Sequence, residues 1–417
     1  MTNKERNLVM QPFDPAAAYA ASRHTFGEHG GVNMSIEASS TFTVMAASTM
    51  PAIFAGDRTP DRDGCFLYGR HFNPTVYALA SELAAFEATQ AAYCTASGLS
   101  AIGAVITQLC NSGDHVVASN TLYGGTHALL GEYLPAKAGV HTTFVPISDL
   151  DAVEAAFTPK TRLLYTETLA NPTLVVADLP RLAEIAHRHG VPLVVDNTFC
   201  PIFITPSRFG ADVVVHSLTK YISGASDLIA GAVCGSSELI AKMMDLHMGS
   251  LMLLGATMDS RIAFELALRL PHLPLRMAEH GRRTLEICSR LEKAGAHVRY
   301  PGLESHPQHA LIRSLANPGY GFGAIFTVDL GTTQRANTFL ERMQNQHHAG
   351  FIAVSLGYAE TLMTCSAIST SSELDDASMR AAGISPGLVR LSLGYTGTVD
   401  DRYEQIRESL QFVGALG

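Results

Sequence analysis

The sequence predicts an α/β protein: a large domain on a mainly parallel sheet, a smaller α+β C-terminal domain and an N-terminal arm. Three observations carry this. The short β-branched runs HVVAS (115–119), RLLYT (162–166), VPLVVD (191–196) and ADVVV (211–215) are bounded by turn formers, as strands buried on both faces are. Helical segments alternate with them, which favours right-handed crossover units. Finally, 417 residues exceed a usual single domain, and 47 % hydrophobic against 16 % charged residues supports a large core and excludes a mainly disordered chain.

In chain order, residues 1–62 show weak periodicity, with Pro51 and Pro60, and are expected to form an arm that packs on another body such as a neighbouring subunit. Residues 63–265 hold the strand–helix alternation, with an Ala-rich helix expected at 81–93 and an apolar one at 99–110. The clearest helix starts at Asp178 as N-cap, has Pro180 in its first turn and stops before Gly190, with Leu182, Ile185, Ala186 and His189 on one face. Residues 266–417 mix amphipathic helices (280–294, 334–346, 400–413) with sparser strands such as 324–330.

Twenty-nine Lys+Arg against 38 Asp+Glu give a net charge of −9, so no basic field attracts nucleic acid or an anionic membrane. Any phosphate must be held by a local site. The seven cysteines (65, 94, 110, 200, 234, 288, 365) are dispersed and never spaced C-x-x-C, which points to buried thiols of a cytoplasmic protein. No secretory leader is evident and no run of about 18 apolar residues occurs. The 17 histidines form no recognisable metal cluster; adjacent His347 and His348 point to different sides.

The chemistry concentrates in two segments. VVDNTF (194–199) puts Asp196 at the end of a buried strand, where α/β sheets present ligand-binding groups. VVVHSLTKY (213–221) puts Lys220 just past a second strand, flanked by the hydroxyls of Ser217 and Thr219. A lysine amine can bond an aldehyde cofactor covalently, a carboxylate can keep a pyridine nitrogen protonated, and two hydroxyls suit a phosphate ester. On spacing alone, a surface lysine and a turn aspartate remain an open alternative. TASGLSA (95–101) opens a helix with small residues, either an anion site or a plain cap. NTLYGGT (120–126) offers Tyr123 for stacking on a planar cofactor, or for packing. ETLANPT (167–173) offers the Asn171 amide, or an ordinary Asn-Pro turn. No G-x-G-x-x-G follows the first strand, against a dinucleotide-binding oxidoreductase.

Together with YGRHFNPT (68–75), LYGGT (122–126), HSLTKY (216–221), VSLGYAETL (354–362) and GLVRLSLGY (387–395), these segments lie in one register along nearly the whole chain. In that register the chain resembles the Cys/Met-metabolism family of pyridoxal 5′-phosphate (PLP) enzymes, the cystathionine γ-synthase-like group of fold type I. The stretches 243–258, 365–374 and 394–405 are similar to its plant-type methionine γ-lyase branch. The resemblance implies that Lys220 bears PLP and that Asp196 pairs with its ring nitrogen. It gives the phosphate to the N–H groups of Gly98 and Leu99 and the hydroxyls of Ser217 and Thr219. Tyr123 would stack on the ring near the leaving group, and Asn171 would bond the ring oxygen. Arg390 would hold the substrate carboxylate, which suits a planar fork, and Ser355 would line the substrate site near the lysine. Tyr68 and Arg70 would reach the phosphate of a neighbouring subunit, with active sites shared across a dimer and two dimers in a homotetramer. The implied reaction is γ-elimination of L-methionine, with γ-replacement or another γ-lyase reaction of the family as the alternative. Two departures bear on the pocket: Gly125 stands where bacterial methionine γ-lyases carry Cys, and residues 365–369 stand where much of the family reads H-P-A-S-M.

Overall fold

The computed structural model describes residues 13–23, 25–60, 65–369, 379 and 383–416. Parts of the expected arm (1–12, 24, 61–62) and residues 370–374 of the 365–374 stretch lie outside the described residues.

The β-branched runs assemble into a seven-stranded sheet of β1 (Ala91–Thr95), β2 (His115–Ser119), β3 (His141–Val145), β4 (Thr161–Glu167), β5 (Leu193–Asp196), β6 (Val213–Ser217) and β7 (Gly231–Gly235). Their spatial order is β1-β7-β6-β5-β4-β2-β3. The run from β6 to β3 is parallel, and β7 lies antiparallel to both of its neighbours. Alternate residues of one strand feed two apolar layers: Val195 and Val214 pack with Leu83 and Leu182, whereas Val194 and Val215 pack with Ile102 and Val105. Two buried faces explain the unbroken apolar runs Leu193–Val195 of β5 and Val213–Val215 of β6.

Among the described residues, eight helices have eight or more residues: α1 (Pro15–Ser22), α2 (Pro74–Phe86), α3 (Gly98–Leu109), α4 (Leu179–Arg188), α5 (Ser260–Arg269), α6 (Leu273–Lys293), α7 (Thr333–Asn345) and α8 (Val399–Phe412). The Ala-rich segment corrects the expectation of a helix at 81–93. The helix is α2, started early by the Asn73 side chain accepting the Thr75 and Val76 N–H groups with Pro74 in its first turn. It ends at Phe86, the chain reverses through Ala88 at φ 51°, and residues 91–95 form β1. Alanine runs carry no periodicity of their own, so nothing in the pattern marks that break. Helix α4 starts as expected, Asp178 accepting the Arg181 N–H. Its Leu182, Ile185 and Ala186 are buried, but His189 turns outward, stacks on Phe157 and bonds Glu154 at 2.7 Å.

A second sheet holds β8 (Val298–Arg299), β9 (Ile325–Asp329), β10 (Phe351–Ile352), β11 (Leu362–Cys365) and β12 (Leu388–Ser392) in the order β10-β11-β12-β9-β8. Ile287 of α6, Phe339 of α7 and Ile406 of α8 pack on it with Phe326 and Leu391. Met277, further back along α6, belongs to the core of the first sheet, so one 21-residue helix joins both. No helix among the described residues is long and apolar enough to cross a membrane.

Strand β7 crosses close behind the loop that opens α3. A Cβ on Gly231 would lie 2.2 Å from the Ser97 carbonyl oxygen and 2.6 Å from Thr95 Oγ1. Backbone on both sides cannot yield, so Gly231→Ala should lower the urea unfolding midpoint by at least the ~1–3 kcal/mol typical of overpacking. A midpoint equal to wild type would show that this approach is not a constraint.

Candidate active site

The site forms where β4, β5 and β6 end. Parallel pairing sets Glu167 beside Asp196, and Asp196 beside Val215, so the strand-end side chains arrive together at the carboxyl edge of the sheet. After β6 the chain turns: Lys220 donates its N–H to the Ser217 carbonyl at 3.2 Å, and the Lys220 carbonyl accepts from Gly224 at 2.8 Å. The Thr219 hydroxyl bonds both the N–H and the carbonyl of Ala230, at 3.0 and 3.2 Å, which fastens this turn to the start of β7.

Above lies a cavity of about 390 Å³. Gly98, Leu99, Tyr123, Asn171, Asp196, Ser217, Thr219, Lys220, Ser355 and Arg390 all line it. Tyr68 and Arg70 do not. Arg70 lies over the Tyr68 ring and donates to the Met252 carbonyl at 3.0 Å, away from this chain's own cavity. The walls also take in Glu167, Thr198, Ile229, Val354 and Ser369, which sequence reasoning did not single out. The signal for Glu167 was present: it ends β4 as Asp196 ends β5. Ser369 falls within the 365–369 segment, so that departure borders the cavity directly.

The charges are unevenly matched. The Lys220 ammonium donates to the Ser355 hydroxyl at 2.8 Å, and burial, then the nearby Arg390 charge, lowers its pKa to about 8. Arg390, in the middle of β12, is buried, and among the described residues it bonds only neutral oxygens: Asn171 Oδ1 at 3.0 Å and the Ser355 carbonyl at 2.8 Å. Its Nε has no partner among those residues, and burial brings its pKa down to about 10. A buried cation bonded only to neutral groups calls for an anionic ligand. Asp196 accepts the Thr198 N–H at 2.9 Å, yet burial outweighs this and raises its pKa. Glu167 is raised as well, by burial and then by the Asp196 charge. Ser355 adopts φ 90°, an uncommon conformation for a residue with a side chain, held from both sides by Lys220 and Arg390.

Two glycines shape the cavity. Ser97 and Ser100 form a reciprocal capping box at the start of α3, leaving the Gly98 and Leu99 N–H groups of the first turn without acceptors among the described residues. A Cβ on Gly98 would lie 2.6 Å from Ser217 Cβ. At Gly125 a Cβ would lie 2.7 Å from Tyr123 Cε1, so glycine there lets the ring fold over the backbone.

These residues fit PLP. A helix start with free N–H groups beside the Ser217 hydroxyl suits a phosphate, a buried carboxylate suits a protonated ring nitrogen, and Lys220 is a half-buried amine lining the same cavity. The family model described as Cys/Met metabolism PLP-dependent enzyme matches residues 16–411. Methionine gamma-lyase of Arabidopsis thaliana is 55 % identical over 407 residues, 97 % of this chain and 92 % of that protein. O-succinylhomoserine sulfhydrylase of Pseudomonas aeruginosa is 35 % identical, over 97 % of this chain and 96 % of its own. Among solved structures, an O-acetylhomoserine (thiol)-lyase from Campylobacter jejuni, carrying N′-pyridoxyl-lysine-5′-monophosphate, aligns with a TM-score of 0.86 at 24 % identity, covering 96 % of this chain and all of that one.

Gly98→Ala should weaken PLP binding about ten- to a hundredfold, as overpacking of ~1–3 kcal/mol pushes α3 off Ser217. Fluorescence titration of the cofactor-stripped protein measures it. Undiminished affinity would mean that the first turn of α3 does not hold the phosphate.

Proposed function

The chain belongs to the Cys/Met metabolism family of PLP-dependent enzymes, and we propose that it catalyses γ-elimination of L-methionine to methanethiol, 2-oxobutanoate and ammonia. The observation that carries the reading is the pairing of half-buried Lys220 with buried Arg390, a base and a carboxylate clamp lining one cavity and, among the described residues, bonded only to neutral groups. The 55 % identity to a plant methionine gamma-lyase supports methionine as the substrate.

Bound on Lys220, PLP supplies an electron sink that makes the α-proton of an attached amino acid acidic. Asp196 sustains this by holding its negative charge at the ring nitrogen. The substrate carboxylate is gripped by Arg390, whose Nη1 and Nη2 are already oriented by Asn171 and Ser355. That grip turns the α-carbon toward Lys220, whose amine, freed once the substrate's amino group has taken its place on the cofactor, takes the α-proton. Ser355 keeps the amine aimed with its 2.8 Å bond. Tyr123, 48 % exposed and hinged over Gly125, is the acid beside the departing thiolate. Ile229, Val354 and the Leu169 side chain give the thioether an apolar wall. Ser217, Thr219 and the Gly98 and Leu99 N–H groups carry the phosphate.

The assembly in this reading is a homotetramer of two dimers. Support comes from Tyr68 and Arg70, neither of which lines its own chain's cavity, with the Tyr68 ring exposed. We assign the chain to the cytoplasm and divide it into an arm (1–62), a PLP-binding α/β domain (63–265) and a C-terminal α+β domain (266–417), each larger unit holding one of the two sheets. γ-Replacement stays as the second reading because a sulfhydrylase is also among the relatives.

Purified protein should release 2-oxobutanoate from methionine. Exclusive formation of homocysteine from O-acetylhomoserine and sulfide would replace elimination by replacement. Lys220→Ala should abolish turnover, and normal turnover would refute the assignment of the base. The pH profile follows from the sign of the shift. The base works neutral, and its pKa falls to about 8 from an ordinary value of about 10.4, so kcat should climb through pH ~8 and level off above it. A limb near pH 10 would contradict the burial of Lys220 beside Arg390.

A further inference from the structure

Glu167 has an unusual position for a second carboxylate. It is buried, ends β4 directly beside Asp196, and borders the same cavity. Burying two acids side by side is costly, and the cost is met by two backbone donors. Oε1 accepts the Tyr123 N–H at 2.6 Å and Oε2 accepts the Asn171 N–H at 3.1 Å. These donors lie on loops that follow two different strands, β2 and β4, and each loop carries a side chain facing the cavity.

Resting on the PLP reading above, we propose that Glu167 is a positioning residue: its carboxylate fixes the Tyr123 ring and the Asn171 amide against the cofactor and, through Asn171, aims Arg390. Three features argue for it. The Tyr123 side chain is half exposed and lies over Gly125, so its place depends on how its backbone is held. Asn171 Oδ1 accepts from Arg390 at 3.0 Å, so the chain of contacts runs from Glu167 through Asn171 to the guanidinium. Two N–H donors converging from different loops need two acceptor oxygens on one side chain. The two oxygens of a glutamate supply both, whereas glutamine of the same reach offers one.

The test compares wild type, Glu167→Gln and Glu167→Asp as PLP-saturated proteins, reading the visible circular dichroism of bound PLP, kcat and KM for methionine, and the melting temperature. Gln keeps the volume and loses one acceptor; Asp keeps the charge but is one methylene too short to reach both donors. Both variants should bind PLP and melt near wild type, with a weakened dichroic band and kcat lowered about 10- to 100-fold, the usual effect of misplacing reacting groups. KM should change less than kcat. If one variant fails to fold, the other gives the same reading. A lowered melting temperature with unchanged dichroism and kcat would make Glu167 merely structural and overturn the proposal. Wild type that takes up no PLP would instead remove the cofactor reading on which the proposal stands.

Discussion

Two cations, Lys220 and Arg390, share one cavity, among the described residues without a carboxylate bonded to either, and the site is organised around keeping them there. Each is tied to neutral oxygens, and Ser355 serves both, its hydroxyl toward the amine and its carbonyl toward the guanidinium. The Arg390 charge in turn lowers the Lys220 pKa. An amine inclined to lose its proton and a cation in need of an anion are the two conditions for removing a proton from an amino acid held by its carboxylate. Glu167 and Asp196 stand side by side at the ends of β4 and β5, the pKa of each raised by burial.

The fold supplies that arrangement through backbone more than through side chains. Parallel pairing brings the last residues of β4 and β5 level, and close approaches that only glycine permits bring β7 behind Ser97 and α3 onto Ser217. Below the cavity, Glu87 at the end of α2 bonds Asn197 at 2.8 Å and His216 at 2.7 Å, locking the residues that follow β5 to the end of β6. Lys220 and Arg390 come from opposite sheets. Helix α6, with Met277 in one core and Ile287 in the other, is the rigid element that fixes their separation.

Much of this was legible in the residues alone. The β-branched strands announce themselves, and Asp196 and Lys220 sit where buried apolar runs stop. Strands β1 (AAYCT) and β7 (GAVCG) were not, because small residues dominate them, with no alternation and a single β-branched residue in each. Glu167 escaped for another reason: in ETLANPT the amide drew the eye, and only strand register shows that the acid four residues earlier stands level with Asp196. Tyr68 and Arg70 show the limit of one chain, since motif likeness gives them a role that their own cavity does not use.

The central claim is a covalent one: Lys220, and no other of the chain's amines, bears PLP. Borohydride reduction of the yellow protein, followed by proteolysis and mass spectrometry, tests it most directly. The account predicts one pyridoxyl-modified peptide per chain, with the added mass on Lys220 of the HSLTKY segment. Label on a different lysine, or none on a protein that still turns over methionine, would contradict it.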